Sequence, residues 1–113
     1  MPASRDTAGL VAVERATVAA QVASLEESFE DIVEANELVS TDDEHDPEGA
    51  TIAYERAQVA SLLESARRRL EELEAAVERI AAGTYGHCDA CGATIPPARL
   101  EAVPTTPWCV NCA

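Results

Sequence analysis

The sequence predicts a mostly α-helical chain, a long antiparallel helical hairpin of coiled-coil type carrying a small C-terminal four-cysteine zinc finger. Three observations predict it. Apolar residues recur in steps of three and four along two long stretches. A polar run from Ser40 to Pro47 separates those stretches. Four cysteines close the sequence as two Cys-x-x-Cys pairs, Cys88/Cys91 and Cys109/Cys112, with about 17 residues between the pairs. The expected division is a hairpin over residues 1–83, with an acidic tip at 40–49, and a finger over residues 84–113.

The first helix has candidate caps in Ser4, Asp6 and Thr7. Its seam runs Val11, Val18, Val22, Leu25, Phe29, Ile32 and Val39, with Arg15 and Asn36 at the polar seam positions. The pattern breaks at Ser40-Thr41-Asp42-Asp43-Glu44-His45-Asp46-Pro47, whose last two residues read as an N-cap followed by proline in a first helical turn. The second seam runs Ile52, Val59, Leu63, Ala66, Leu70, Leu73, Val77 and Ile80, with Arg56 as its polar member, and Gly83 supplies the stop. Two helices of about thirty residues, at about 1.5 Å per residue, make a rod about 45 Å long. A short loop between such helices favours folding back over an intermolecular coiled coil. Folding about the loop sets Asn36 beside Arg56, a pairing that reads first as a register lock.

The cysteine spacing is that of a zinc site. Two thiolates on one tight turn approach a metal from adjacent tetrahedral corners, and a second turn completes the shell. Gly92 suits such a turn because it tolerates positive φ. Four sulfurs leave no open position for water or substrate, so the zinc is expected to be structural. Two disulfides are the rival arrangement, less fitting for an intracellular chain, and His87 reads as a turn residue. A finger this small depends on metal, whose binding is worth about 10–16 kcal/mol in comparable elements. Within it, Ile95 to Ala102 reads as a strand end and a short helix opened by proline. Ile95, Leu100, Val103 and Trp108 are expected to form a small apolar patch, with Trp108 in the core.

Composition narrows the function. The 113 residues carry a formal charge of −13, and all eight basic residues are arginines. Such a chain repels a phosphate backbone, which argues against direct DNA binding. No apolar run reads as a signal peptide or a membrane span, so a cytoplasmic protein is expected. Between Glu26 and Glu48 there are many carboxylates and no arginine. Asp42, Asp43, Glu44 and Asp46 crowd the loop. Their mutual repulsion points to a site for a cation or basic partner ahead of a merely solvated loop, although the spacing is not that of a calcium loop. Arg67, Arg68 and Arg69 are expected to pair with Glu64, Glu71, Glu72 and Glu74 at helical spacing rather than to form a basic patch. No nucleophile and base, phosphate loop or open metal site is visible, so an enzyme is not expected.

Three segments then carry a resemblance: Gly83-Thr84-Tyr85-Gly86-His87-Cys88-Asp89-Ala90-Cys91-Gly92, Ile95-Pro96-Pro97-Ala98-Arg99-Leu100-Glu101-Ala102-Val103-Pro104, and Cys109-Val110-Asn111-Cys112. They resemble the DksA/TraR family of bacterial transcription regulators, and the hairpin with Asp46-Pro47 at its tip extends the likeness. The resemblance implies a protein that binds RNA polymerase without DNA contacts of its own; a monomer is expected. Its coiled coil would enter the secondary channel and present the acidic tip near the catalytic magnesium, in many members together with ppGpp. The sequence departs from the family's Asp-x-x-Asp-x-Ala tip. Aligned on Asp46, it has Gly49 and Thr51 at the last two motif positions; aligned on Asp43 and Asp46, it has Glu48 in place of alanine. It also ends one residue after Cys112, before the helix that follows the finger in longer members. The alternative is a zinc-stabilised coiled-coil adaptor with an inert tip, and a third reading is a polymerase-assisting hydrolytic role like that of the Gre factors.

Overall fold

A computed structural model describes the backbone of residues 5–39 and 47–113, and the side chains of residues 7–35 and 50–113. Two long helices, α1 (Arg5–Val39, 35 residues) and α2 (Pro47–Ala82, 36 residues), pack as the antiparallel hairpin that the seams predict, and a six-residue helix, α3 (Pro97–Ala102), lies in the finger. Contacts group the chain into two compact units, one of Met1–Thr17 with Arg69–Ala113, the other of Val18–Arg68.

The apolar spacing decides which helical faces are covered. In the Val18–Arg68 unit, Val18, Val22 and Leu63 are buried and Leu25, Phe29, Ile32, Ile52, Val59 and Ala66 are half-buried. Arg67 adds an ion pair across the two helices, 3.4 Å from Glu26, while Arg68 pairs along α2 with Glu64 at 3.3 Å. These pairs are exposed, so each contributes only about 0.2–1 kcal/mol, and the apolar stripe carries the association. Arg56 is exposed; the side chain of its expected partner Asn36 lies outside the described residues.

In the other unit, Thr7, Val11, Leu73 and Ala76 are buried. Ala76 is not in the predicted seam. Its methyl is small enough to be covered wherever the neighbouring chain comes close, a property that spacing alone does not reveal. Proline opens α2 as expected, at Pro47. The helix ends at Gly83, where φ is +76°. The Gly83 amide donates to the Ile80 carbonyl at 3.2 Å and the Thr84 amide to the Arg79 carbonyl at 2.9 Å. This is the paired arrangement by which a left-handed glycine satisfies the last carbonyls of a helix.

The stretch Thr7–Ala35 is long and apolar enough to cross a membrane by length and composition, since an 18-residue window within it reaches a mean hydropathy of 1.2. This corrects the expectation that no run would meet that measure. Alanine and valine on both faces of α1 raise the hydropathy, while Glu14 and Glu26 on the same stretch are ion-paired to α2.

Two substitutions test the packing. Leu73→Ala, at a fully covered position, is expected to destabilise the chain by about 2–5 kcal/mol in denaturant titration. Leu62→Ala, at a side chain 53% exposed, should change it by no more than about 0.5 kcal/mol. Gly83→Ala is expected to cost about 1–2 kcal/mol, since the left-handed conformation penalises a Cβ even where nothing crowds it.

Candidate metal centre

The finger begins immediately after the α2 stop. Gly86, at φ +87°, turns the chain into a first knuckle closed by an antiparallel bridge between His87 and Thr94. Within this knuckle the Cys88 amide donates to the Ala93 carbonyl and the Gly92 amide to the Cys88 carbonyl, both at 2.8 Å. Gly92 takes φ +76°, the conformation expected of it from the cysteine spacing. The predicted strand end at Ile95 reduces to this single bridge, one residue earlier at Thr94. The second knuckle is a turn in which the Cys112 and Ala113 amides both donate to the Cys109 carbonyl at 3.1 Å.

These turns bring the four predicted cysteines together. Their sulfurs all lie within 4.8 Å of one another, with Cys91 Sγ 3.7 Å from Cys109 Sγ. Zinc–thiolate bonds of about 2.3 Å in a tetrahedron place neighbouring sulfurs about 3.8 Å apart, so the spacing fits a zinc ion. A disulfide needs about 2.05 Å, and all four cysteines are free. Cys88 and Cys109 are buried, whereas Cys91 and Cys112 are exposed.

The electrostatics of the site favour a dication. Backbone amides, that of Cys109 first and those of Cys91 and Ala90 after it, lower the Cys88 thiol to about 6. Cys112 is pushed up to about 12, chiefly because its thiol donates to Cys109, and also to Cys88 and Cys91. The Cys88 thiolate forms readily, whereas ionisation of Cys112 beside the other sulfurs is opposed. A dication removes that opposition, so structural zinc suits the donor set.

Around the sulfurs the finger has a small core of Tyr85, Ile95 and Leu100. Burial raises the Tyr85 phenol above its usual value, and its hydroxyl donates to the Pro104 carbonyl at 2.7 Å. Val103 and Trp108 are 43% and 47% exposed, which corrects the expectation of a four-residue patch with Trp108 in the core. The indole forms one wall of an open cavity of about 450 Å³, lined also by Arg79, Arg99, Thr105 and Thr106.

Arginines hold the segment before the second cysteine pair. Arg99, on α3, donates to the Trp108 carbonyl at 3.0 Å and to Thr106 Oγ1 at 3.4 Å. From α2, Arg79 donates to the Thr105 carbonyl at 3.0 Å and Arg69 to Thr105 Oγ1 at 3.2 Å. Sequence reasoning assigned Arg69 to helical pairing alone. It does meet Glu72 at 3.5 Å, but its principal partner is Glu14 on α1, whose carboxylate raises the guanidinium pKa further. No short-range spacing signals a bond between residues 55 positions apart. The acidic loop residues Asp42, Asp43, Glu44 and Asp46 lie outside the described residues.

Comparison with known proteins agrees with this geometry. Residues 83–113 match the prokaryotic dksA/traR C4-type zinc finger. The general stress protein 16O of Bacillus subtilis is 38% identical over 71 residues, 63% of this chain and 44% of that protein. The RNA polymerase-binding transcription factor DksA of Haemophilus influenzae is 37% identical over 46 residues, 41% of this chain and 32% of that protein. These matches therefore span less than half the length of either relative. The solved structure of the transcription factor DksA2 from Pseudomonas aeruginosa shares the fold, with a TM-score of 0.76 over 94% of this chain and 76% of that one at 24% identity. Through residues 83–113 the chain thus carries the sequence of a prokaryotic dksA/traR C4-type zinc finger, on a fold shared with DksA2.

Proposed function

We propose that this chain is a non-enzymatic, cytoplasmic regulator that binds RNA polymerase and extends its coiled coil into the secondary channel. In this reading Cys88, Cys91, Cys109 and Cys112 ligate a structural zinc, residues 84–113 form the finger, and residues 1–83 form the hairpin. Asp42, Asp43, Glu44 and Asp46 form the part that acts inside the polymerase. The observation that carries the reading is the joining of a four-sulfur finger to a pair of 35- and 36-residue helices. The polymerase-binding relative from Haemophilus influenzae supports the partner. Four sulfurs around one metal leave no coordination position for substrate, which supports a structural role for the zinc.

Binding to core RNA polymerase tests the partner directly, with a Gre factor as competitor. Competed binding at micromolar concentrations is the expected result, and absence of binding would leave the coiled-coil adaptor as the reading. Neutralising Asp42, Asp43 and Asp46 together to asparagine is expected to abolish the effect on transcription while affinity is retained. An adaptor with an inert tip would keep its full activity. Metal-dependent transcript cleavage by the complex would instead indicate the hydrolytic role.

Zinc binding has an expected pH dependence. The metal takes thiolates and releases protons, so affinity falls as pH falls. Below about 6 the Cys88 thiol of the metal-free site is also protonated, and one further proton then competes with zinc. A plot of log affinity against pH should therefore steepen by one proton below that point, as read by chelator competition. At neutral pH a strong chelator should unfold residues 84–113, with loss of dispersed amide signals from that segment.

A further inference from the structure

We propose that Arg69 is the joint through which metal occupancy of the finger stabilises the early turns of α1. The inference rests on the zinc reading of the four cysteines. Its geometry is a single guanidinium shared by three parts of one compact unit. Arg69 Nε lies 3.2 Å from Glu14 Oε1 on α1, and Nη2 donates to the same oxygen. Nη1 lies 3.5 Å from Glu72 Oε2 on α2 and 3.2 Å from Thr105 Oγ1 in the finger.

Thr105 is buried, with 6% of its surface exposed, and it stands four positions before the ligand Cys109. Its segment is fixed from the metal side. The Asp89 amide, next to Cys88, donates to the Pro107 carbonyl at 2.8 Å. Thr106 Oγ1 donates to the carbonyl of Trp108, the residue before Cys109, at 3.0 Å. The finger core holds few apolar side chains, so the segment is ordered with metal and disordered without it. That is a two-state element, which coupling between distant positions requires.

When the segment is in place, Thr105 Oγ1 takes one edge of the guanidinium and helps to orient the other toward Glu14. Loss of zinc removes that acceptor. Arg69 then regains rotamers that do not reach α1, and Glu14 loses a fixed partner. A planar fork of five donors can serve three acceptors at once, whereas a lysine ammonium is a compact point charge without the fork. Coupling of this kind is reciprocal, so the clasp should also tighten zinc binding by the same factor.

The test uses the whole chain, zinc-loaded and zinc-free, with amide hydrogen exchange followed over residues 7–17 and zinc affinity measured by chelator competition. In the wild-type chain zinc should slow exchange there about fivefold or more. In Arg69→Met, and in the milder Thr105→Val, which keeps the carbonyl that Arg79 uses, that zinc-dependent ratio should fall to within about twofold. Zinc affinity should weaken by the factor that the ratio loses. Arg69→Lys should not restore either quantity. A merely structural contact would raise exchange equally with and without zinc, and an unchanged ratio in Thr105→Val overturns the inference while the zinc reading stands. Failure of the wild-type chain to bind zinc would remove both.

Discussion

The convergence of four sulfurs is the constraint on which the finger depends. Brought within 4.8 Å of one another, four thiols cannot all ionise without a cation, and the two extremes at Cys88 and Cys112 express that opposition. The remaining interior of the finger, centred on Tyr85, Ile95 and Leu100, is too small to offset the chain entropy of some thirty ordered residues. Metal binding therefore supplies the folding energy, and the two knuckle turns exist to aim sulfur at one point. Gly92 permits the first of these turns, and paired amides on the Cys109 carbonyl close the second.

The helices solve a different problem. A chain of charge −13 with a narrow apolar stripe must pair two acidic surfaces. Three of its arginines reach from one element to another. Arg67 reaches Glu26, Arg69 reaches Glu14, and Arg79 reaches the Thr105 carbonyl. Each contact is modest in energy because each is partly solvated. Their value lies in direction, since an apolar stripe of similar aliphatic residues fixes the angle and register of two helices only loosely.

Local signals were legible in the sequence and non-local ones were not. The four cysteines, the helix stop at Gly83, the proline openings at Pro47 and Pro97, and the positive φ of Gly92 each follow from chemistry confined to a few neighbouring residues. The buried members of the stripe, from Val11 to Leu73, follow from periodicity. Ala76 escaped because it stands beside the seam, immediately before Val77, and Thr105 and Thr106 because burial of a threonine depends on which arginines arrive. Trp108 shows the converse. Its size predicted a core position, but a finger with so few apolar neighbours offers no volume to enclose an indole, and it stands 47% exposed against an open cavity.

The distribution of cations also bears on what the chain can bind. Affinity for a phosphate backbone comes from lysines and arginines that are free to displace counterions. Among the described residues, Arg67, Arg68 and Arg69 face carboxylates, and Arg79 and Arg99 donate to carbonyls and hydroxyls of the finger. Arg15 and Arg56 stand exposed on different helices and do not make a stripe. A nucleic acid approaching this chain would meet a strong excess of negative charge, and most of the positive groups it would need are already engaged. A protein partner is not subject to that requirement, because a cleft lined with basic groups gains from the same excess. Eight arginines against 21 carboxylates leave the acidic surface uncompensated, and most of the described arginines are spent on tying the fold together.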